Sequence, residues 1–234
     1  GKFGIFQGII LPFIFVAVPM LLIIEQPDLG SGLMLMLVFI CLLYLTNVRL
    51  RYIFTLLTLL ILPLPLLWNL LHDYQKQRLL VFLNPNIDPL GAGYTIIQSK
   101  IAIGSGGFFG RGWLAGTQSQ LYFLPESHTD FIFATFSEQW GFLGSCLLIL
   151  MYYLIIRQGL IIAQRTQDNF GRLLAYGISL LLALQVFINI AMNMGLAPVV
   201  GLPLPLMSYG GSSILATFIA LGILTNIDRT RNVF

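Results

Sequence analysis

The sequence holds 234 residues, 57% of them hydrophobic and only 9% charged, with a mean hydropathy of +0.88 and a formal charge of +3. Soluble domains carry about 25% charged residues, so a soluble core does not account for this composition, and no nucleic-acid partner is expected. The 18 Phe and 9 Tyr suit lipid-facing surfaces and interfacial belts. Cys41 and Cys146 both sit in apolar runs and read as buried thiols, neither a disulfide nor metal ligands.

A helix needs about 20 apolar residues to cross the hydrocarbon. In chain order, six stretches qualify: 4–24, 31–48, 52–71, 131–156, 173–194 and 209–227. The fold class expected is all-α, a polytopic transmembrane helix bundle with a large structured extracytoplasmic loop, forming a single integral membrane domain over 1–234. No cleavable signal is visible, and the chain enters an apolar run almost at once without an initiator Met. It is expected to be the C-terminal part of a longer protein. The first two spans join through Glu25-Gln-Pro-Asp-Leu-Gly30, an ordinary Pro-Asp turn. Pro63 and Pro65 interrupt the third span and predict a kink.

Between the third and fourth spans lies the long connection 72–130, far beyond ordinary loop lengths. It carries the apolar-periodic stretch Tyr94–Ile103. There Ile96, Ile97, Ile101 and Ile103 fit a short interfacial helix. The connections that would share one side hold Lys2, Arg49, Arg51, Arg157, Arg165, Arg172, Arg229 and Arg231. The other side holds only Lys76, Arg78, Lys100 and Arg111, among more acids. This positive-inside bias predicts that both termini are cytoplasmic and that 72–130 faces outward.

Chemistry-bearing residues gather in and beside that loop. In Leu124-Pro-Glu-Ser-His-Thr-Asp-Phe-Ile-Phe-Ala134, three ionisable groups, Glu126, His128 and Asp130, stand just before the fourth span. Ser127 with Asp130 fits a helix-capping box. Asp130 equally fits a general base at the membrane surface, and the two roles are compatible. The spacing does not suit a metal site, because residues two apart do not share a helix face and no His or Cys companion is near. Glu138 lies roughly 12 Å deeper along the same helix and about 80° around it from Asp130. It reads either as a cavity-lining carboxylate or as half of an ion pair.

The run Ile103-Gly-Ser-Gly-Gly-Phe-Phe-Gly-Arg-Gly112 fails as a nucleotide loop: Phe109 breaks the G-x-G-x-x-G spacing and no Gly-Lys-Ser/Thr follows. Its glycines are expected to turn tightly beside a membrane-embedded ligand, with Lys100 and Arg111 placed to neutralise a phosphate. Near the C-terminus, Asn189–Gly195 and Pro198–Ser213 break the helix between the last two spans on the same side as 72–130.

Four strings in order carry a resemblance: Gln26-Pro-Asp-Leu-Gly30; Asp88-Pro-Leu-Gly-Ala-Gly-Tyr94 with Gln98–Gly107; Leu124–Ala134; and Pro203-Leu-Pro-Leu-Met-Ser-Tyr-Gly-Gly-Ser-Ser213. Together they resemble the SEDS (shape, elongation, division and sporulation) glycosyltransferases over nearly the whole chain. The Asp88–Tyr94 and Gly116-Thr-Gln118 elements are more similar to the elongation, RodA-like branch than to the division branch. Members have ten spans, so the chain looks like the last six.

The resemblance implies a bacterial cytoplasmic-membrane enzyme that polymerises lipid II into glycan strands during elongation, with undecaprenyl pyrophosphate as leaving group. Its proposed catalytic aspartate maps onto Asp130. Lys100 and Arg111 are the candidates for holding the pyrophosphate, and Gln98, His128, Glu138, Ser208 and Tyr209 are the further expected substrate-binding positions. A divalent cation such as Mg2+ is the one cofactor left open, no metal-ligating residue is expected, and a class B penicillin-binding protein transpeptidase is the expected partner. Two rivals stand beside this reading. One is a lipid II flippase using Glu138 as a polar stepping point; the other is a non-catalytic scaffold for a transpeptidase.

Overall fold

A computed structural model describes residues 10–26, 28–46, 48, 50–62, 73–121 and 123–230. Among the described residues all regular structure is helical, and the chain is an all-α, multi-pass membrane protein. It divides into two compact units, Gly1–His72 and Asp73–Phe234.

The first unit holds α1 (Leu11–Glu25), α2 (Leu29–Leu45) and α3 (Leu50–Ile61). The Pro-Asp turn does local work here. The Asp28 carboxylate accepts the Ser31 N–H at 3.0 Å and so caps α2. Buried Gly32 lets α1 approach closely, since a Cβ there would sit 3.0 Å from Ile24. α2 and α3 pack through Met36, Phe39, Leu43, Ile53 and Leu56. The kink expected at Pro63 and Pro65 lies outside the described residues.

The second unit holds α4 (Asp73–Leu83), a 3-10 turn (Pro85–Ile87), α5 (Ala92–Ser105), the single turn α6 (Thr117–Gln120), α7 (Ile132–Arg165), α8 (Asn169–Asn193) and α9 (Gly211–Thr230). The last three long helices are apolar enough to cross a membrane. α7 continues to Arg165, where hydropathy alone ended the span at 156. It is interrupted at Gly141, whose backbone is not helical, and the rod beyond that break is about 36 Å long, enough to cross the ~30 Å of a hydrocarbon core. α8 runs back antiparallel after the Asp168 side chain caps it by accepting the Gly171 N–H at 2.7 Å. α9 then closes the far end, with Leu224 and Ile227 packed among Ile162, Ala163, Ala175, Ile178 and Leu182.

Inside the long connection the described residues form short helices and bonded turns. The Asp88 carboxylate accepts the Gly91 N–H at 2.9 Å and the Gln77 side-chain amide at 2.8 Å, tying the turn to α4. Gly93 is required because a Cβ there would collide with the Pro85 carbonyl. α5 then packs against α7. Its inward stripe is Gly93, Ile96, Ser99 and Ala102, whereas Ile101 is exposed. Of the expected isoleucine face, Ile96 is buried, Ile103 packs against the cores around Ala134 and Phe133, Ile97 is half-buried and only Ile101 is exposed, while small Ala102 lies against Phe131 and Ala134.

Candidate functional site

The segment just before α7 is irregular, so its carbonyls find no partners within the helix ladder. Four in succession are nevertheless bonded. The Ser127 carbonyl accepts from the Thr135 hydroxyl (3.2 Å), and the His128 carbonyl from the Tyr209 N–H (2.9 Å). The Thr129 carbonyl accepts from the Ser208 hydroxyl (2.7 Å). The Asp130 carbonyl accepts from both the Asn189 and Asn193 side-chain amides, each at 3.0 Å. Two strings distant in sequence, Leu124–Ala134 and Pro203–Ser213, are thus joined backbone to backbone and through Ser208.

Asp130 itself is half-buried. Its Oδ2 lies beside Gly201, where a Cβ would sit 3.5 Å away, and Gly201 has a φ of +69° that favours glycine. His128 is exposed, as is Tyr209 at 82%. Ser208 is fully buried and both faces of its hydroxyl are used, because it also accepts the Leu204 N–H at 2.7 Å. Its side chain supports the loop and does not reach outward.

The capping box expected from Ser127 and Asp130 does not start α7. Phe131 is the N-cap residue and has no side-chain cap. The orphan N–H of Ala134, in the first turn, is instead taken by Asn193 Oδ1 at 3.1 Å, a cap supplied by another helix. Asn193 is fully buried, and its own carbonyl accepts the Ser99 hydroxyl at 2.7 Å. Lys100, next along α5, is exposed. Its side chain crosses Gly195, where any Cβ would collide with Lys100 Cε. Gln98 is half-buried on the same helix.

Glu138 follows different rules. It is fully buried, and its Oε1 accepts the Gln118 N–H (2.9 Å) and the Thr117 hydroxyl (3.3 Å). Arg111 reaches the same Thr117 hydroxyl (3.1 Å) and the Ser105 carbonyl (3.2 Å) with its guanidinium. Asp130 and Glu138 therefore have different surroundings, one beside Gly201 and the other beneath α6.

The glycine-rich run has a role the sequence did not reveal. α7 breaks at Gly141, whose φ is +65°. The break takes apart the helical bonds between residues 138 and 142 and between 139 and 143. The glycine-rich loop supplies all four groups with partners. Arg111 N–H donates to the Glu138 carbonyl (3.0 Å) and Gly112 N–H to the Gln139 carbonyl (3.1 Å). Phe142 N–H donates to the Gly107 carbonyl (2.9 Å) and Leu143 N–H to the Phe108 carbonyl (3.2 Å). A Cβ at Gly106 would strike the Ser137 carbonyl, at Gly110 the Gln139 carbonyl, and at Gly141 the Gly110 nitrogen. The glycines turn the chain tightly, with positive φ at Gly107, Gly110 and Gly112, and they also admit the broken helix.

Among the described residues, no three His, Cys, Asp or Glu side chains form a group that could hold a metal ion.

Residues 5–233 match the FtsW/RodA/SpoVE cell cycle protein family. The chain belongs to this family. It is 50% identical over 227 residues to the peptidoglycan glycosyltransferase MrdB of Escherichia coli strain K12, covering 97% of this chain and 61% of that protein. It is 43% identical over 219 residues to the probable peptidoglycan glycosyltransferase FtsW of Trichlorobacter lovleyi, covering 93% of this chain and 57% of the relative. The chain thus spans about three fifths of the length of the family members it matches. Among solved structures, a chain from a peptidoglycan synthase complex that coordinates polymerization and crosslinking is 35% identical, with a TM-score of 0.77. The match covers 95% of this chain and 62% of that one. An aspartate-to-alanine variant of the Thermus thermophilus Rod shape determining protein RodA is 25% identical at a TM-score of 0.66, covering 99% of this chain and 60% of that one.

Family membership agrees with the motif reading. The sequence placed Asn189 and Asn193 in a helix break, whereas they end α8 and bond the Asp130 carbonyl. The signal was two asparagines four apart in an apolar helix, each needing partners at that depth.

Proposed function

We propose that this chain carries the catalytic end of a peptidoglycan glycosyltransferase that polymerises lipid II during cell elongation and cell-shape maintenance. The observation that carries this reading is the half-buried Asp130 on a loop whose consecutive carbonyls are all bonded. A general base must be within hydrogen-bond reach of the proton it takes and must be rigidly held. Asp130 accepts the proton of the acceptor sugar's 4-hydroxyl. The hydroxyl oxygen bonds to the donor's anomeric carbon, the bond from that carbon to the pyrophosphate oxygen breaks, and undecaprenyl pyrophosphate leaves. Attack opposite the leaving group inverts the anomeric centre.

Lys100, exposed on α5, supplies positive charge for the leaving pyrophosphate. Arg111 is the weaker candidate, because its guanidinium is already bonded to Ser105 and Thr117. His128 and Tyr209, both exposed and joined through the main chain, border the same approach, and Gln98 extends it along α5. Glu138 and Ser208 act through the loops they hold. Family membership supports the bacterial cytoplasmic membrane as the location, and the positive-inside bias supports both termini inside with residues 72–130 outside. The likeness to a complex that couples polymerization with crosslinking supports a class B penicillin-binding protein transpeptidase as partner.

The test uses the purified full-length polypeptide and labelled lipid II. Asp130→Ala is expected to abolish polymer while the protein remains folded. Unchanged polymer yield would remove the base assignment, and lipid II translocation across a vesicle bilayer without polymer would favour the flippase reading.

A further inference from the structure

We infer that Asn193 is a positioning residue that fixes where Asp130 stands relative to Lys100. This rests on the glycosyltransferase reading above and names a part of its machinery. Every polar atom of Asn193 is committed. Its side-chain amide donates to the Asp130 carbonyl (3.0 Å) and the Asn189 carbonyl (2.8 Å). Its side-chain oxygen accepts from Ala134 N–H (3.1 Å), and its own carbonyl accepts from the Ser99 hydroxyl (2.7 Å). The side chain therefore grips the start of α7 on both sides of Phe131. The main chain grips α5 at the residue preceding Lys100.

Lys100 is held a second time on the same segment. Two residues beyond Asn193, Gly195 leaves the space through which the lysine side chain passes. Asn189, one turn earlier on α8, shares the load. Its amide donates to the Asp130 carbonyl (3.0 Å) and to the Leu202 carbonyl (2.7 Å), next to the glycine that abuts the Asp130 carboxylate. Both acceptor positions of the Asp130 carbonyl are thereby occupied, and Asn193 and Ser99 are entirely buried.

A buried amide with all its bonds made has one arrangement available to it. Base and cation serve opposite ends of one displacement, so their spacing must suit a single near-attack geometry, in which a misplacement of about 1 Å costs on the order of a hundredfold in rate. Asn193 is the one described residue bonded both to the Asp130 carbonyl and to the Ser99 hydroxyl.

The experiment measures kcat and KM for labelled lipid II with the full-length protein, alongside the folded fraction by detergent size exclusion. Asn193→Ala is expected to lower kcat at least tenfold, to change KM by less than threefold, and to leave the folded fraction at the assay temperature unchanged. Ser99→Ala is expected to lower kcat about threefold alone and to add nothing in the Asn193→Ala background, as a double-mutant cycle would report for one shared path. Should Asn193→Ala fail to fold, Asn189→Ala removes one donor to the same carbonyl and is read in the same way. A kcat within twofold of the parent, a rise in KM alone, a loss that tracks the folded fraction, or full additivity with Ser99→Ala overturns the inference. If Asp130→Ala is inactive in those outcomes, the base assignment survives. If Asp130→Ala keeps parental kcat, the base assignment falls and this role falls with it.

Discussion

Around Asp130 two side-chain amides bond the main-chain carbonyl; around Glu138 the carboxylate is bonded as well as the carbonyl. The two acids are eight residues apart in one sequence segment, yet one stays half-exposed and the other is sealed. A carboxylate that is to act as a base needs a fixed position, and the bonds to the Asp130 carbonyl help to set one. Clamping through the side chain turns the acid into an anchor, and Glu138 is the anchor that fixes α6 and, through Thr117, the Arg111 side chain. An intramembrane acid is by default a functional suspect.

Substitutions at the two acids and their supports sharpen that contrast. The largest effect is expected at Asp130→Asn, which keeps the shape and removes the base. Polymer formation should fall by about 10²–10⁴-fold with no shift in the melting curve, and a parallel loss of melting temperature would erase the distinction drawn here. Gly141→Ala forces a side chain against the Gly110 nitrogen at a positive φ. It should cost at least about 2 kcal/mol, visible as a lower melting temperature, because both strain and the shared hydrogen bonds are affected. Ser208→Ala leaves the Leu204 N–H and the Thr129 carbonyl without their present partner. It should cost about 1–3 kcal/mol in thermal unfolding. Glu138→Gln retains an acceptor for the Gln118 N–H, so activity should remain within about threefold and stability within about 1 kcal/mol. A loss as deep as that of Asp130→Asn would make Glu138 a chemical participant after all.

Much of this arrangement is legible in the residues alone. The last three spans show as apolar length, and the proline-rich string after α8 marks where that helix stops. The Asp28 turn, the α5 helix and the irregular passage 203–210 all lie where local chemistry puts them. Pairing across long separations is not legible. Asn193 meets Ala134 59 residues away and Ser99 94 residues away, and nothing local in either stretch specifies the other. The cap of α7 was misread for the same reason: Ser127 and Asp130 satisfy a local rule, but a distant asparagine does the capping. Gly141 reads as one tolerated small residue in an apolar run. Its meaning emerges only when the loop at 107–112 is seen opposite it.

The exchange at Gly141 has a mechanical consequence. Residues 138–139 and 142–143 trade their ladder partners for the glycine-rich loop, so the stub of α7 next to Asp130 is stitched sideways to that loop at the point where it parts from the long rod below. A force applied to the loop from above would reach the stub directly. A bend of the rod would be absorbed at the joint. Amide deuterium uptake in the stub and the loop should therefore rise and fall together, as one opening event releases all four bonds at once.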